Sequence, residues 1–170
     1  MLRGLALSAG LLLPVLAGCV TVDEDRNDSP GPPGPASGAE EYTVASVISG
    51  DLIQLAGGET VRYAGLRAPA EGEDFFAEAR AANERLVFGK DVKVKVVFVE
   101  DLEDESGRRY AHVYTPGAAL KLMTWVNAEL LEGGWGRLDY RALSGKFEQR
   151  FEEREAVARA GGRGIWKIRG

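Results

Sequence analysis

An α+β fold is predicted by three features of the 170-residue sequence. Short β-rich segments closed by glycine turns open the folded region, helical periodicity is confined to three later segments, and the two kinds of element come in runs instead of alternating. Thr43–Ile48 is β-rich and stops at the turn tripeptide Ser49-Gly50-Asp51. Leu52–Leu55 and Thr60–Ala64 flank Ala56-Gly57-Gly58-Glu59, which reads as a hairpin. Pro69 and the acids of residues 71–74 break the strand pattern, and those acids suit the positive end of the helix that follows. Phe76, Ala79, Ala82 and Leu86 recur at helical spacing, so Phe75–Phe88 is predicted helical with Gly89 as its stop. Val92, Val94, Val96 and Phe98 alternate with polar residues, a strand with one wet face. Glu100–Gly107 reads as an acidic, solvated turn and Arg109–Tyr114 as the next strand. Met123, Val126 and Leu130 predict a second helix ending before Gly133-Gly134, and Ser144–Arg159 a third. The order is β-β-β-α-β-β-α-α, with no internal repeat.

Composition bounds the chemistry. With 45% apolar and 28% charged residues the chain is neither a polytopic membrane protein nor wholly disordered. The net charge of −5 is concentrated early: six acids (Asp23, Glu24, Asp25, Asp28, Glu40, Glu41) against Arg26 precede residue 42, and the rest is one charge from neutral. Such a balance gives little long-range steering of nucleic acid. Cys19 is the only cysteine, which excludes an intrachain disulfide, a Cys-based zinc site and a CxxC pair. His112 is the only histidine; it stands in a strand without a motif and reads as a surface or packing residue.

Residues 1–18 read as an export signal. Arg3 precedes an uncharged run, Gly4–Leu16, too short to span a bilayer. Leu16-Ala17-Gly18-Cys19 resembles the lipobox of bacterial lipoproteins, which implies cleavage before Cys19 and lipid attachment to it. Two or three acyl chains would anchor the protein stably. Val20 after the cysteine fits outer-membrane sorting if the host has two membranes. Residues 19–41, with Pro30, Pro32, Pro33 and Pro35 and no large apolar side chain after Val22, are expected to be an acidic, disordered tether. The expectation is an exported, lipid-anchored protein with a single domain at residues 42–170.

That domain resembles the staphylococcal nuclease (thermonuclease) family. The motifs that carry the likeness, in register, are Ser49-Gly50-Asp51, Val61-Arg62-Tyr63-Ala64-Gly65-Leu66-Arg67-Ala68-Pro69, Glu78-Ala79, Asp104-Glu105-Ser106-Gly107-Arg108, Val126-Asn127-Ala128-Glu129-Leu130 and Gly164-Ile165-Trp166. The resemblance implies a five-stranded OB-type β-barrel with three packed helices. It also implies a phosphodiester-hydrolysing site with two phosphate-gripping arginines, Ca²⁺ held chiefly by two aspartates, and a general-base glutamate. By position Arg62 and Arg108 match the arginines, whose planar forks can each grip two phosphate oxygens. Asp51 matches the first metal aspartate, and Tyr140 falls near the family's nucleotide-side aromatic.

Two departures follow. Where the family reads D-G-D-T, this chain has Ser49-Gly50-Asp51-Leu52; where it reads D-T-P-E, this chain has Arg67-Ala68-Pro69-Ala70. The second metal aspartate is thus Arg67 and the general base is Ala70. Loss of a base costs about 10²–10⁴ in rate. Glu71 and Glu73 lie one and three residues past Ala70, and Glu71 is the candidate for a displaced base. The expectation is a weak or non-catalytic module that binds single-stranded nucleic acid, oligonucleotides or other phosphate ligands, or an envelope protein partner, as a monomer. The alternative is a metal-dependent endonuclease using Arg62, Arg108, Asp51 and a relocated carboxylate. Gly65–Pro69 also resembles the degenerate nuclease-like repeats of Tudor-nuclease scaffold proteins, which use the barrel for binding.

Overall fold

The computed structural model describes residues 39–89, 92–116 and 123–167. Two units are distinguished, Met1–Pro30 and Gly31–Gly170, and every described residue falls in the second. The predicted signal peptide, Cys19 and the tether up to residue 38 lie outside the described residues. Among the described residues no helix is long and apolar enough to cross a membrane.

The start of β5 (Lys93–Glu103) alternates in burial as the sequence predicts, whereas six consecutive residues of β6 (Arg109–Pro116) are buried. β1 (Glu40–Ser49) pairs β2 (Leu52–Leu55) through its second half and β5 (Lys93–Glu103) through its first four residues, all antiparallel. Two register slips, between Val44 and Ser46 and between Val47 and Ser49, let one strand serve two neighbours around a corner. β2 pairs β3 (Thr60–Tyr63), and β5 pairs β6 (Arg109–Pro116), which carries β7 (Met123–Trp125) on its other edge. The ring then closes through a short parallel seam in which Arg62 and Tyr63 of β3 lie opposite Tyr110 and Ala111 of β6. Five strands, β1, β2, β3, β6 and β5, therefore make the barrel predicted for this chain. Ile53, Val61, Tyr63, Val94, Val96 and Val113 fill it, each fully buried.

The three helices cover the barrel. α1 (Phe76–Val87) buries Ala79, Ala82, Asn83 and Val87, two of them alanines, and approaches the Ser49–Asp51 turn closely. A Cβ on Gly50 would lie 2.7 Å from the Cβ of Ala68 and 2.9 Å from that of Ala79, so only glycine fits there. Asn83 fastens this approach, donating to the Ser49 carbonyl (2.9 Å) while accepting from the Tyr63 hydroxyl (2.8 Å). α2 (Val126–Glu132) places Asn127 behind the seam. α3 (Gly145–Ala160) inserts Phe151 so tightly that a Cβ on Gly65, whose φ is +75°, would meet its ring at 2.5 Å.

Some elements differ from the sequence reading. Met123 ends up on β7, opposite Pro116, because pairing continues to Trp125 before α2 begins. The acidic stretch is no simple turn: β5 bulges between Phe98 and Glu103, with Asp101 at φ +52°, and Val99 and Leu102 pack against Ala64, Tyr110 and Ala142. A two-residue ladder, β4 (Leu66–Arg67) with β8 (Arg137–Leu138), has too little periodicity to be read from sequence. Trp166 lies between the guanidinium groups of Arg137 and Arg159, 4.4 and 4.3 Å from its ring.

The seam is held by one side chain. Asn127 is fully buried, accepts from the Val113 amide (2.9 Å), and donates to the carbonyls of Ala64 (2.9 Å) and Ala111 (3.0 Å). Truncation would leave buried backbone groups unpaired at 1–3 kcal/mol each. Asn127→Ala should lower the urea unfolding free energy by about 3–4 kcal/mol; a loss below about 1 kcal/mol would show that the seam closes without it.

Candidate functional site

Seam and turn geometry bring the charged residues together. On β3, Arg62 lies opposite Leu52 of β2 on one side and Tyr110 of β6 on the other. Asp51 is at the end of the β1–β2 turn, where its carbonyl accepts from the Tyr63 amide (2.9 Å) and its carboxylate from the Ser49 hydroxyl (2.7 Å). The Arg62 guanidinium reaches both ways, Nη1 to Asp51 Oδ2 (2.9 Å) and Nε to Asp104 Oδ2 (2.8 Å).

Asp104 is the organising acid. The turn from Asp104 to Arg108 closes on itself through Asp104 N to the Arg108 carbonyl and Gly107 N to the Asp104 carbonyl, both 2.9 Å, with Gly107 at φ +71°. Asp104 Oδ1 accepts from the amides of Ser106 (2.9 Å) and Arg108 (3.1 Å), an Asx turn. Its Oδ2 accepts from Arg62 Nε and from Arg108 Nε (2.7 Å). Partial burial pushes this carboxyl upward, but two amides and two guanidinium groups outweigh it and hold it well below the usual carboxylate range. Two like charges are thereby fixed side by side around one carboxylate. Arg62 Nη2 and Arg108 Nη1 have no protein partner among the described residues.

Three clefts meet here. One, of about 420 Å³, is walled by Arg62, Arg67, Arg108 and Arg141 with Asp104 and Tyr110. A smaller one, about 180 Å³, is bordered by Asp51, Arg62, Arg67, Ala70 and Glu71. The largest, about 910 Å³, runs past Arg67, Glu73, Asp74, Arg137 and Lys167. Arg67 lines all three.

A sequence model described as staphylococcal nuclease homologue matches residues 60–168, more than half of the chain. The chain belongs to the staphylococcal nuclease family. No curated protein matches it. Membership of the nuclease family suggests nucleic-acid cleavage or binding, and the family is in general Ca²⁺-dependent. In this nuclease-like domain Arg62, Arg108 and Asp51, named from the sequence, are gathered at one place, and Glu71 borders the same small cleft as Asp51. Tyr140 lines none of the three clefts; it is exposed and donates to Glu152 of α3 (2.8 Å). His112 is buried among Trp125 and Phe147, in edge-on contacts of 5.2 and 5.3 Å. Among the described residues no three His, Cys, Asp or Glu side chains form a group suited to a metal ion.

The sequence placed Asp104 at the head of the Asp104–Arg108 motif but gave it no role beyond that of one of five acids in a solvated turn. The signal was its spacing to Gly107 and Arg108, the pattern of an Asx turn with a left-handed glycine. Sequence reasoning overlooked Arg141, which is tied bidentately to Asp139 (Nε to Oδ1 3.0 Å, Nη2 to Oδ2 2.8 Å) at the edge of the arginine cleft.

The Asp104 linkage has a definite sign. Its folded-state pKa lies below its ordinary value of 3.8, so its stabilisation is present above about pH 4 and is lost as pH falls towards the lower, folded value. Asp104→Asn should cost about 2–4 kcal/mol at pH 7, with the deficit relative to wild type narrowing below pH 4. Denaturant titrations at pH 7 and pH 3 measure this, and an equal deficit at both would contradict it.

Proposed function

We propose that the chain is an envelope-anchored protein whose nuclease-family domain binds phosphate groups of single-stranded nucleic acid or oligonucleotides with little or no hydrolysis. The observation that carries this reading is the Asp104 clamp, which presents Arg62 and Arg108 to one cleft with Nη donors left over for an anion. Hydrolysis needs more. Calcium takes six to eight oxygen ligands, and the residues here do not fit it. Asp51 already gives one carboxylate oxygen to Arg62 and the other to Ser49, and Arg67 stands where the resemblance puts the second aspartate. Ala70, at the position of the general base, offers a methyl group that takes no proton from water.

A second reading has one observation behind it. Glu71 borders the cleft of Asp51 and Arg62 and has no hydrogen-bond or ion-pair partner among the described residues, so it could serve as a relocated base in a metal-dependent endonuclease.

The purified full chain incubated with single-stranded DNA separates the readings. Binding is expected to be saturable and salt-sensitive, with Arg62→Ala or Arg108→Ala weakening it about tenfold or more, and the strand should stay intact with Ca²⁺ or chelator. Calcium-dependent cleavage lost on Glu71→Gln would establish the second reading.

We further propose that lipid on Cys19 holds the protein at the envelope, in the outer membrane of a two-membrane host, where it acts as a monomer. Cys19→Ala should release it from the membrane fraction and abolish palmitate labelling; retention with labelling would refute the anchor.

A further inference from the structure

We propose that Arg67 takes over the electrostatic role of a metal ion, so that the cleft grips a nucleic-acid phosphate with no divalent cation. The proposal rests on the phosphate-binding reading above and names the group that makes such binding self-sufficient. Arg67 is exposed, lines each of the three clefts that meet beside the Asp104 clamp, and has no side-chain hydrogen bond or ion pair among the described residues. The arginines around it are engaged: Arg62 with Asp51 and Asp104, Arg108 with Asp104, Arg141 with Asp139, and Arg137 over the Trp166 ring.

Arg67 faces another arginine across its ladder. The β4–β8 register puts Arg67 directly opposite Arg137, and like charges facing each other across a ladder are destabilising. Asp139, whose carboxyl is lowered in part by the charge of Arg67, is already bound bidentately by Arg141. The element that carries Arg67 is nevertheless firmly seated. Leu66 is buried, the Asp139 amide donates to the Gly65 carbonyl (3.2 Å), and the Leu138 amide donates to Glu155 of α3 (2.9 Å). A guanidinium carried on this seated backbone, without a side-chain hydrogen bond among the described residues and bordering the same cleft as Arg62 and Arg108, suits a phosphodiester oxygen. Unlike a metal ion, a covalently held guanidinium cannot be removed by a chelator. A guanidinium cannot hold and acidify a water as a metal ion does, which agrees with binding without cleavage.

The test is titration of a fluorescent single-stranded oligothymidylate into the purified full chain, with Ca²⁺ or with chelator, for wild type, Arg67→Ala, Arg67→Lys and Arg137→Ala. The proposal expects equal wild-type affinity in both buffers. Arg67→Ala should lose about tenfold or more and flatten the slope of log K against log salt by about 0.7. Arg67→Lys should recover part of the loss, and Arg137→Ala, which does not border the arginine cleft, should lose much less. Unchanged thermal melting would show that Arg67→Ala remains folded. Calcium-dependent wild-type binding, Arg67→Ala binding as wild type does, or an equal loss in Arg137→Ala would each overturn the role of Arg67 while leaving phosphate binding standing. Absence of wild-type binding in both buffers would overturn both.

Discussion

The parallel seam between β3 and β6 is the constraint on which the rest depends. Four of the five barrel pairings are antiparallel; only this one brings together strands running the same way, and it is two residues long. A ladder so short leaves backbone groups to satisfy, and Asn127 satisfies three of them from within the adjacent helix. Because Arg62 occupies the seam opposite Tyr110, closure of the barrel and placement of the first guanidinium are the same event. Arg109, next in the chain to Arg108, pairs with Glu103, so the Asp104–Arg108 turn joins β5 to the seam strand β6.

Charge is concentrated around that seam. Four arginines border one cleft, and Asp104, nearly buried, serves two of them at once. Removing one partner of a partly buried network leaves the others uncompensated, so the cleft is held open by acids that orient the guanidinium groups. Overall near-neutrality of the domain and a locally cationic cleft are compatible: the first governs approach from a distance, the second what happens on contact.

Much of this was legible from residue order. Alternation over 92–98 marks a strand of the barrel, and the three-and-four spacing of Ala79 and Ala82 marks the buried face of α1. Arg62, Arg108 and Asp51 could be named because each sits in a short motif. Asp104 heads the Asp104–Arg108 motif, but its pairing with Arg62 could not be read there, since that partner arrives from 42 residues away. The β4–β8 ladder was equally hidden: two residues on each side carry no period, and only α3 and its Glu155 fix where they meet. Local signals thus report turns and faces, whereas partners brought in by tertiary closure leave no trace in spacing.

The central claim is that this cleft is built around guanidinium groups with no seat for calcium. A crystal structure of the full chain grown with millimolar calcium and a short single-stranded oligonucleotide addresses it directly. The expected result is a phosphate bonded by Arg62, Arg108 and Arg67, with Asp51 still paired to Arg62 and no ordered cation next to it. A calcium ion coordinated by Asp51 and Glu71, with Arg67 turned away from the phosphate, would contradict it.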